Sequence, residues 1–178
     1  GILGKVTTTP RVITDPGLLI SDMYPMPPTR KPSNRIGVVI HNQDRDYFFK
    51  HFPSRRDDLI DNYSSFPQMV ETMSRYSSIV TTSLHGVIFA HAYGIPATAV
   101  KMGDRIIGGD FKYADYFSSL GHNFSGRQAL KSEADLEALR MGWNPSPRCV
   151  SEKKEELREA LRGILPAPRR LSPPIDWV

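Results

Sequence analysis

The 178-residue chain has a single cysteine, Cys149. A lone thiol excludes an internal disulfide framework and any zinc site built on cysteine ligands. It lies in a proline-rich stretch with no neighbouring histidine and reads as a packed or incidental thiol rather than a nucleophile. Long apolar runs are also missing: none approaches the roughly 20 residues needed to cross a bilayer. The opening Gly-Ile-Leu-Gly-Lys lacks the charged start, apolar centre and small-residue cleavage site of a secretion signal, a pattern expected of a cytoplasmic chain. There is no Gly-x-Gly-x-x-Gly or Walker pattern, so Gly108 and Gly109 read as turn formers and not as a phosphate cradle. Zinc-finger spacing and aromatic RNA-binding signatures are absent too, and nucleic acid is not an expected partner.

What remains is the composition of one soluble globular domain, with 39% hydrophobic and 24% charged residues. The length suits one ordinary core and is short for two. A formal charge of +4 favours anionic ligands such as phosphorylated metabolites, acidic glycans or lipid headgroups.

Residues 77–100 carry most of the functional information. Ile79 to Thr82 is β-branched throughout and suits a buried strand. Ser83 is a good N-cap, and Leu84, Val87, Ile88 and Ala92 share one helical face. Gly94 supplies the helix stop, Pro96 prevents continuation, and Ala97 to Val100 resumes an extended path. The unit is β-α-β. A helix entered directly from a strand leaves its first N–H groups unpaired beside the positive end of its dipole, an arrangement that favours phosphate or carboxylate. His85 sits at that mouth.

Elsewhere, Val12-Ile13 ends a first strand, Leu18 to Ser21 is a short apolar stretch, and the prolines of Met23 to Ser33 deny that segment regular structure. Arg35 to His41 contains Ile36, Val38, Val39 and Ile40, a run suited to a parallel strand buried on both faces. His41, Asn42 and Asp44 follow at its carboxyl end, where open α/β sheets place ligands. A short strand is expected at Leu59 to Asn62, and helices from Phe66 to Tyr76, Phe111 to Leu120, Ser132 to Met141 and Ser151 to Gly163. The last has an apolar stripe of Leu157, Leu161 and Ile164, with Glu152, Glu155 and Glu156 towards its positive end.

Thr-Ser-Leu-His-Gly at 82–86 in its strand-helix setting, Ala-Tyr-Gly-Ile-Pro at 92–96, and Gly-Gly-Asp-Phe-Lys-Tyr-Ala-Asp-Tyr-Phe at 108–117 resemble the polysaccharide pyruvyl transferases, with similarity running from Asp15 to about Gly121. The resemblance implies a mainly parallel, Rossmann-like α/β sheet with helices on both faces, equivalent to the C-terminal half of a GT-B-like fold. It implies an N-terminal strand, loop and proline-rich connection over 1–33, the transferase domain over 34–165 and an extended Pro/Arg-rich tail over 166–178. It also implies transfer of the enolpyruvyl group of phosphoenolpyruvate to a saccharide or lipid-linked glycan. The product would be a pyruvate ketal in bacterial capsule, exopolysaccharide or cell-wall synthesis, made in the cytoplasm with peripheral association at the inner face of the membrane. Phosphoenolpyruvate is then the donor substrate, and no cofactor or metal is required. The chain would be a C-terminal portion that transfers pyruvate poorly alone. Two alternatives stay open: a GT-B glycosyltransferase using a nucleotide sugar, and a non-catalytic glycan-binding or assembly domain.

His85 is the catalytic candidate, either acid or phosphate ligand, against the plainer reading of a capping residue. Ser83, Leu84 and Gly86 frame it as substrate contacts. Many family members carry Arg where this chain has Ser83, so no contact made by that Arg transfers. Lys112 matches a position where the family often has Lys; it contacts the donor carboxylate or phosphate or is an exposed lysine. Lys101 and Arg105 are alternative cations. His41 and Asp44 read as ligand-facing groups or ordinary strand-end polar residues, and Asp110 and Asp115 as groups that orient His85 or as helix-start acids. His91, six residues after His85, faces elsewhere and reads as structural, and Tyr113, Tyr116 and Phe117 read as core rather than as a sugar-stacking face.

Overall fold

The computed structural model describes residues 14–28, 30–102 and 109–162. Its centre is a parallel sheet of β1 (Ser33–Val39), β2 (Tyr76–Thr81), β3 (Ala97–Lys101) and β4 (Gln128–Ala129), in that spatial order. The three expected strands are present, and Val38, Val80 and Thr98 lie side by side across them. β4 has no apolar run and was not expected. Of the anticipated strand at 59–62 only Leu59 pairs, through a parallel bridge to Val38, with the Ile60 N–H donating to the Val38 carbonyl at 2.8 Å.

That bridge decides the topology. Leu59 lies on one side of β1 and β2 on the other, so the chain leaves β1 outward, turns back across it, and then proceeds through β2 and β3. The reversal creates a switch point at the carboxyl ends of β1 and β2, the usual ligand crevice of an open α/β sheet.

Period-two alternation splits the apolar strand residues between two covered faces. Ile36, Val38, Val80 and Val100 pack with Phe48 of α2 (Arg45–His51), Phe52 just after that helix and Leu136 of α6 (Glu133–Ala138). Val39, Ile79, Ala97 and Ala99 pack with α3 (Phe66–Met73), α4 (Leu84–Ala92), α5 (Phe111–Ser119) and α7 (Pro147–Arg162). Leu18, before α1 (Ile20–Met23), is buried in this second cluster. The fold is Rossmann-like α/β with helices on both faces.

Several boundaries differ from expectation for local reasons. α3 stops at Met73, because Tyr76 is needed in β2, where it is buried with its hydroxyl donating to the Asp57 carbonyl at 3.1 Å. Its start is fixed by Gln68, whose side chain accepts from the Ser65 N–H at 3.2 Å. α6 stops short of Met141, since the chain turns so that the Ala97 N–H can donate to the Trp143 carbonyl at 2.9 Å. Gly142 permits that approach: a Cβ there would lie 2.7 Å from the Ala97 carbonyl carbon. α7 begins at Pro147, four residues earlier than expected, because proline is well suited to a first helical position. Cys149 therefore lies on a helix, and Glu152, Glu155 and Glu156 are beyond the first turn, paired with Arg148, Arg158 and Lys153. Leu157 is buried as expected; Ile164, the first strand at Val12-Ile13 and the tail from 166 lie outside the described residues. α4 ends as expected, with Gly94 at φ 65° in the left-handed region.

Candidate functional site

Thr82 joins the elements around the switch point. Its N–H donates to the Val39 carbonyl at 3.1 Å, its hydroxyl accepts from the His41 N–H at 2.8 Å, and its carbonyl accepts from the Tyr113 hydroxyl at 2.7 Å. β1, β2 and α5 thus converge on one buried threonine, and the polar residues that follow them share one rim.

The mouth of α4 is built on that anchor. Ser83 caps the helix with an extended backbone and no side-chain cap bond. Its N–H donates to Thr81 Oγ1 at 2.9 Å, and the first helical bond is Val87 N–H to the Ser83 carbonyl at 3.3 Å. Among the described residues the amides of Leu84, His85 and Gly86 have no protein acceptor, as expected for a first turn. Leu84 packs against the core, while His85 is exposed with its ring 5.7 Å from that of Phe89. Gly86 is buried, and a Cβ there would collide with Thr81 Oγ1 and lie 3.1 Å from Val39 Cγ1. The missing side chain lets the helix settle directly on the ends of β1 and β2. Gly86→Ala is expected to destabilise the fold by about 1–3 kcal/mol through overpacking, measured by urea unfolding; unchanged stability would show that the strand ends give way freely.

His41 is exposed at the β1 end, its Nδ1 accepting from the Gln43 N–H at 3.4 Å. Asp44 is buried, and among the described residues its carboxylate has no hydrogen-bond or ion-pair partner. Across the rim, Lys112 is exposed on the first turn of α5, its Nζ 5.5 Å from the centroid of Tyr113. Asp110 caps α5 and is held by Arg127, whose Nε donates to Oδ1 at 2.5 Å and whose backbone N–H donates to Oδ2 at 3.3 Å. Burial would raise the Asp110 carboxyl, but the Arg127 contacts and nearby Lys101 hold it below the usual carboxylate range. Asp115 is exposed, Lys101 is exposed at the end of β3, and Gly108 and Arg105 lie outside the described residues.

Sequence reasoning missed Thr82 as a junction and missed Arg127 entirely. The Arg127 side chain is only 4% exposed, with its guanidinium 4.8 Å from the Tyr113 ring centroid. It braces the start of α5, and hence the backbone carrying Lys112, against Tyr113. Arg127→Met is expected to leave Asp110 without its cation, bringing the Asp110 pKa back up; NMR titration of the carboxyl checks this, and an unmoved value would reject the pairing.

Tyr113, Tyr116 and Phe117 are buried in the core. His91 is buried as well, with Nδ1 3.0 Å from the Tyr116 hydroxyl and Nε2 3.1 Å from the Trp143 carbonyl. A carbonyl only accepts, so Nε2 carries the proton and Nδ1 accepts from Tyr116. Among the described residues no helix is long and apolar enough to cross a membrane.

No solved structure matches the chain. An uncharacterized protein of Acanthamoeba polyphaga mimivirus is 31% identical over 112 residues, covering 60% of this chain and 39% of the viral protein. The chain thus spans well under half the length of that relative. The family model for polysaccharide pyruvyl transferase matches residues 3–103, which include β1, the mouth of α4 and β3. With more than half of its length matched, the chain belongs to the polysaccharide pyruvyl transferase family.

Proposed function

We propose that this protein transfers the enolpyruvyl group of phosphoenolpyruvate to two hydroxyls of a saccharide, with the donor's anionic groups at the mouth of α4. The observation that supports this most is the coincidence, at the switch point, of first-turn amides that have no acceptor among the described residues with an exposed histidine. The amides and helix dipole favour an anion, and the imidazole adds ring nitrogens that can donate to or accept from it.

The chemistry requires three events. A proton is added to the methylene carbon as a sugar hydroxyl attacks the adjoining carbon and loses its own proton. Phosphate then leaves with its bonding electron pair. A second hydroxyl attacks the same carbon, loses its proton and closes the ketal. His85 serves as the acid for the first event or as the imidazolium that holds phosphate for the second. Lys112 contacts the carboxylate or phosphate from the α5 side, and His41 and Asp44 line the β1 side. The acceptor is a free or lipid-linked glycan, handled at the cytoplasmic face of a membrane.

The test offers the intact enzyme phosphoenolpyruvate or nucleotide sugars together with saccharide acceptors. Ketal product, followed by mass spectrometry, should form only from phosphoenolpyruvate, with one phosphate released per ketal. Sugar transfer from a nucleotide donor without consumption of phosphoenolpyruvate would overturn the reading.

A further inference from the structure

A row of four rings runs outward from the mouth of α4. The His85 imidazole lies 5.7 Å from Phe89, Phe89 meets Phe66 edge-on at 6.1 Å, and Phe66 stacks on Tyr24 at 5.6 Å between centroids. Phe66 belongs on this rim because α3 descends from the carboxyl ends of the strands to the start of β2. The preceding loop confirms the level: the Asn62 amide donates to the carbonyl of Ile40, just past β1, at 3.4 Å.

Phe66 and His85 are exposed, Tyr24 and Phe89 are half-buried against the core, and the row is held in place. Phe66 is 48% exposed although it is the first residue of α3, fixed between Ser65, whose N–H and hydroxyl both donate to Gln68, and Pro67. The backbone of Tyr24 is tied twice: its N–H donates to the Ile20 carbonyl at 2.9 Å, and its carbonyl accepts from the Tyr93 hydroxyl at 2.7 Å. Gly17 lies against the inner side of Phe89, where a Cβ would come within 3.2 Å of Cε1. A single exposed phenyl ring needs no explanation. Stacked rings continuous with a proposed proton donor form a small prepared apolar surface.

The chemistry of the row selects its occupant. Tyr24, Phe66 and Phe89 offer hydrocarbon ring surface and one phenol hydroxyl, with no ammonium, guanidinium or carboxylate among them. An anionic donor finds N–H groups at the helix mouth and gains nothing from these rings. A pyranose ring has a face of C–H groups that suits the electron-rich face of an aromatic ring, and hydroxyls around its edge.

We propose that Phe66 and Tyr24, backed by Phe89, form the acceptor subsite, on which a neutral hexopyranose ring stacks with its reacting hydroxyls directed towards His85. This rests on the reading of α4 as the transfer site, with the rings adding acceptor recognition that the helix mouth cannot provide.

The experiment titrates the 178-residue chain, by NMR of its aromatic side chains, with methyl glucopyranoside, methyl galactopyranoside and methyl mannopyranoside, and separately with phosphoenolpyruvate. At least one glycoside should shift the Phe66 and Tyr24 resonances saturably. Phe66→Ala should weaken that binding roughly tenfold and leave phosphoenolpyruvate binding unchanged. Phe66→Trp, which keeps a ring face, should bind at least as well as Phe66 and guards against a folding defect in the alanine variant. The subsite is overturned if no glycoside shifts these rings, or if the folded alanine variant binds like the original. Glycoside binding without phosphoenolpyruvate binding would retain the subsite and reject the donor reading. The converse would reject the subsite alone.

Discussion

In the intact enzyme, replacing His85 by alanine is expected to lower turnover by about a hundredfold to ten-thousandfold, the range lost with a true general acid. The side chain is exposed, so its removal should cost little stability and the loss should appear in kcat. If the imidazole only binds the donor, the loss is smaller and falls mainly on KM. His91 is not the neutral control that its position on the same helix suggests, since it is buried between Tyr116 and Trp143. His51 is better suited: it is exposed at the C-terminal end of α2, and α2 runs away from the rim. Full activity in a folded His85→Ala protein would remove this group from the mechanism. An equal loss in His51→Ala would show that the effect is not specific to the helix mouth.

The elements legible in the sequence were those whose information is local. Ile36 to Ile40, Ile79 to Thr82 and Ala97 to Val100 announce buried strands through β-branched or small apolar runs, and all three lie in the parallel sheet. The mouth of α4 was legible for the same reason, because a strand, an N-cap serine and a histidine fall within seven residues. What could not be read depends on contacts across distance. β4 is two exposed residues that pair only because β3 presents a free edge. The early end of α6 is imposed by the pairing of Trp143 with Ala97. Arg127 and Asp110 are separated by 17 positions and by the whole of α5, and neither has a local pattern that names the other. Thr82 looked like the last residue of a strand. Its role as the junction of β1, β2 and α5 follows from three partners distant in sequence.

The stability of the fold is expected to fall as pH drops from about 6.5 towards 4, in a manner traceable to His91. Burial lowers its pKa from 6.5 to about 4; the Trp143 carbonyl opposes the shift and His122 adds to it. Between these values the unfolded chain binds a proton that the folded chain excludes, so the unfolding free energy decreases as pH decreases. The contribution is fully present above the unfolded pKa and is lost by the folded one, amounting to about 3 kcal/mol across the window. Carboxylates such as Asp110, held low by Arg127, also weaken the fold in acid, so the wild-type curve alone does not isolate the histidine. His91→Gln does isolate it. Its side-chain N–H can donate to the Trp143 carbonyl and its oxygen can accept from Tyr116, but it does not titrate. Urea unfolding of both proteins at several pH values should give curves that converge as pH falls from 6.5 to 4. Parallel curves would mean that His91 exchanges no proton on unfolding, and the neutral Nε2–H form assigned from its two partners would have to be given up.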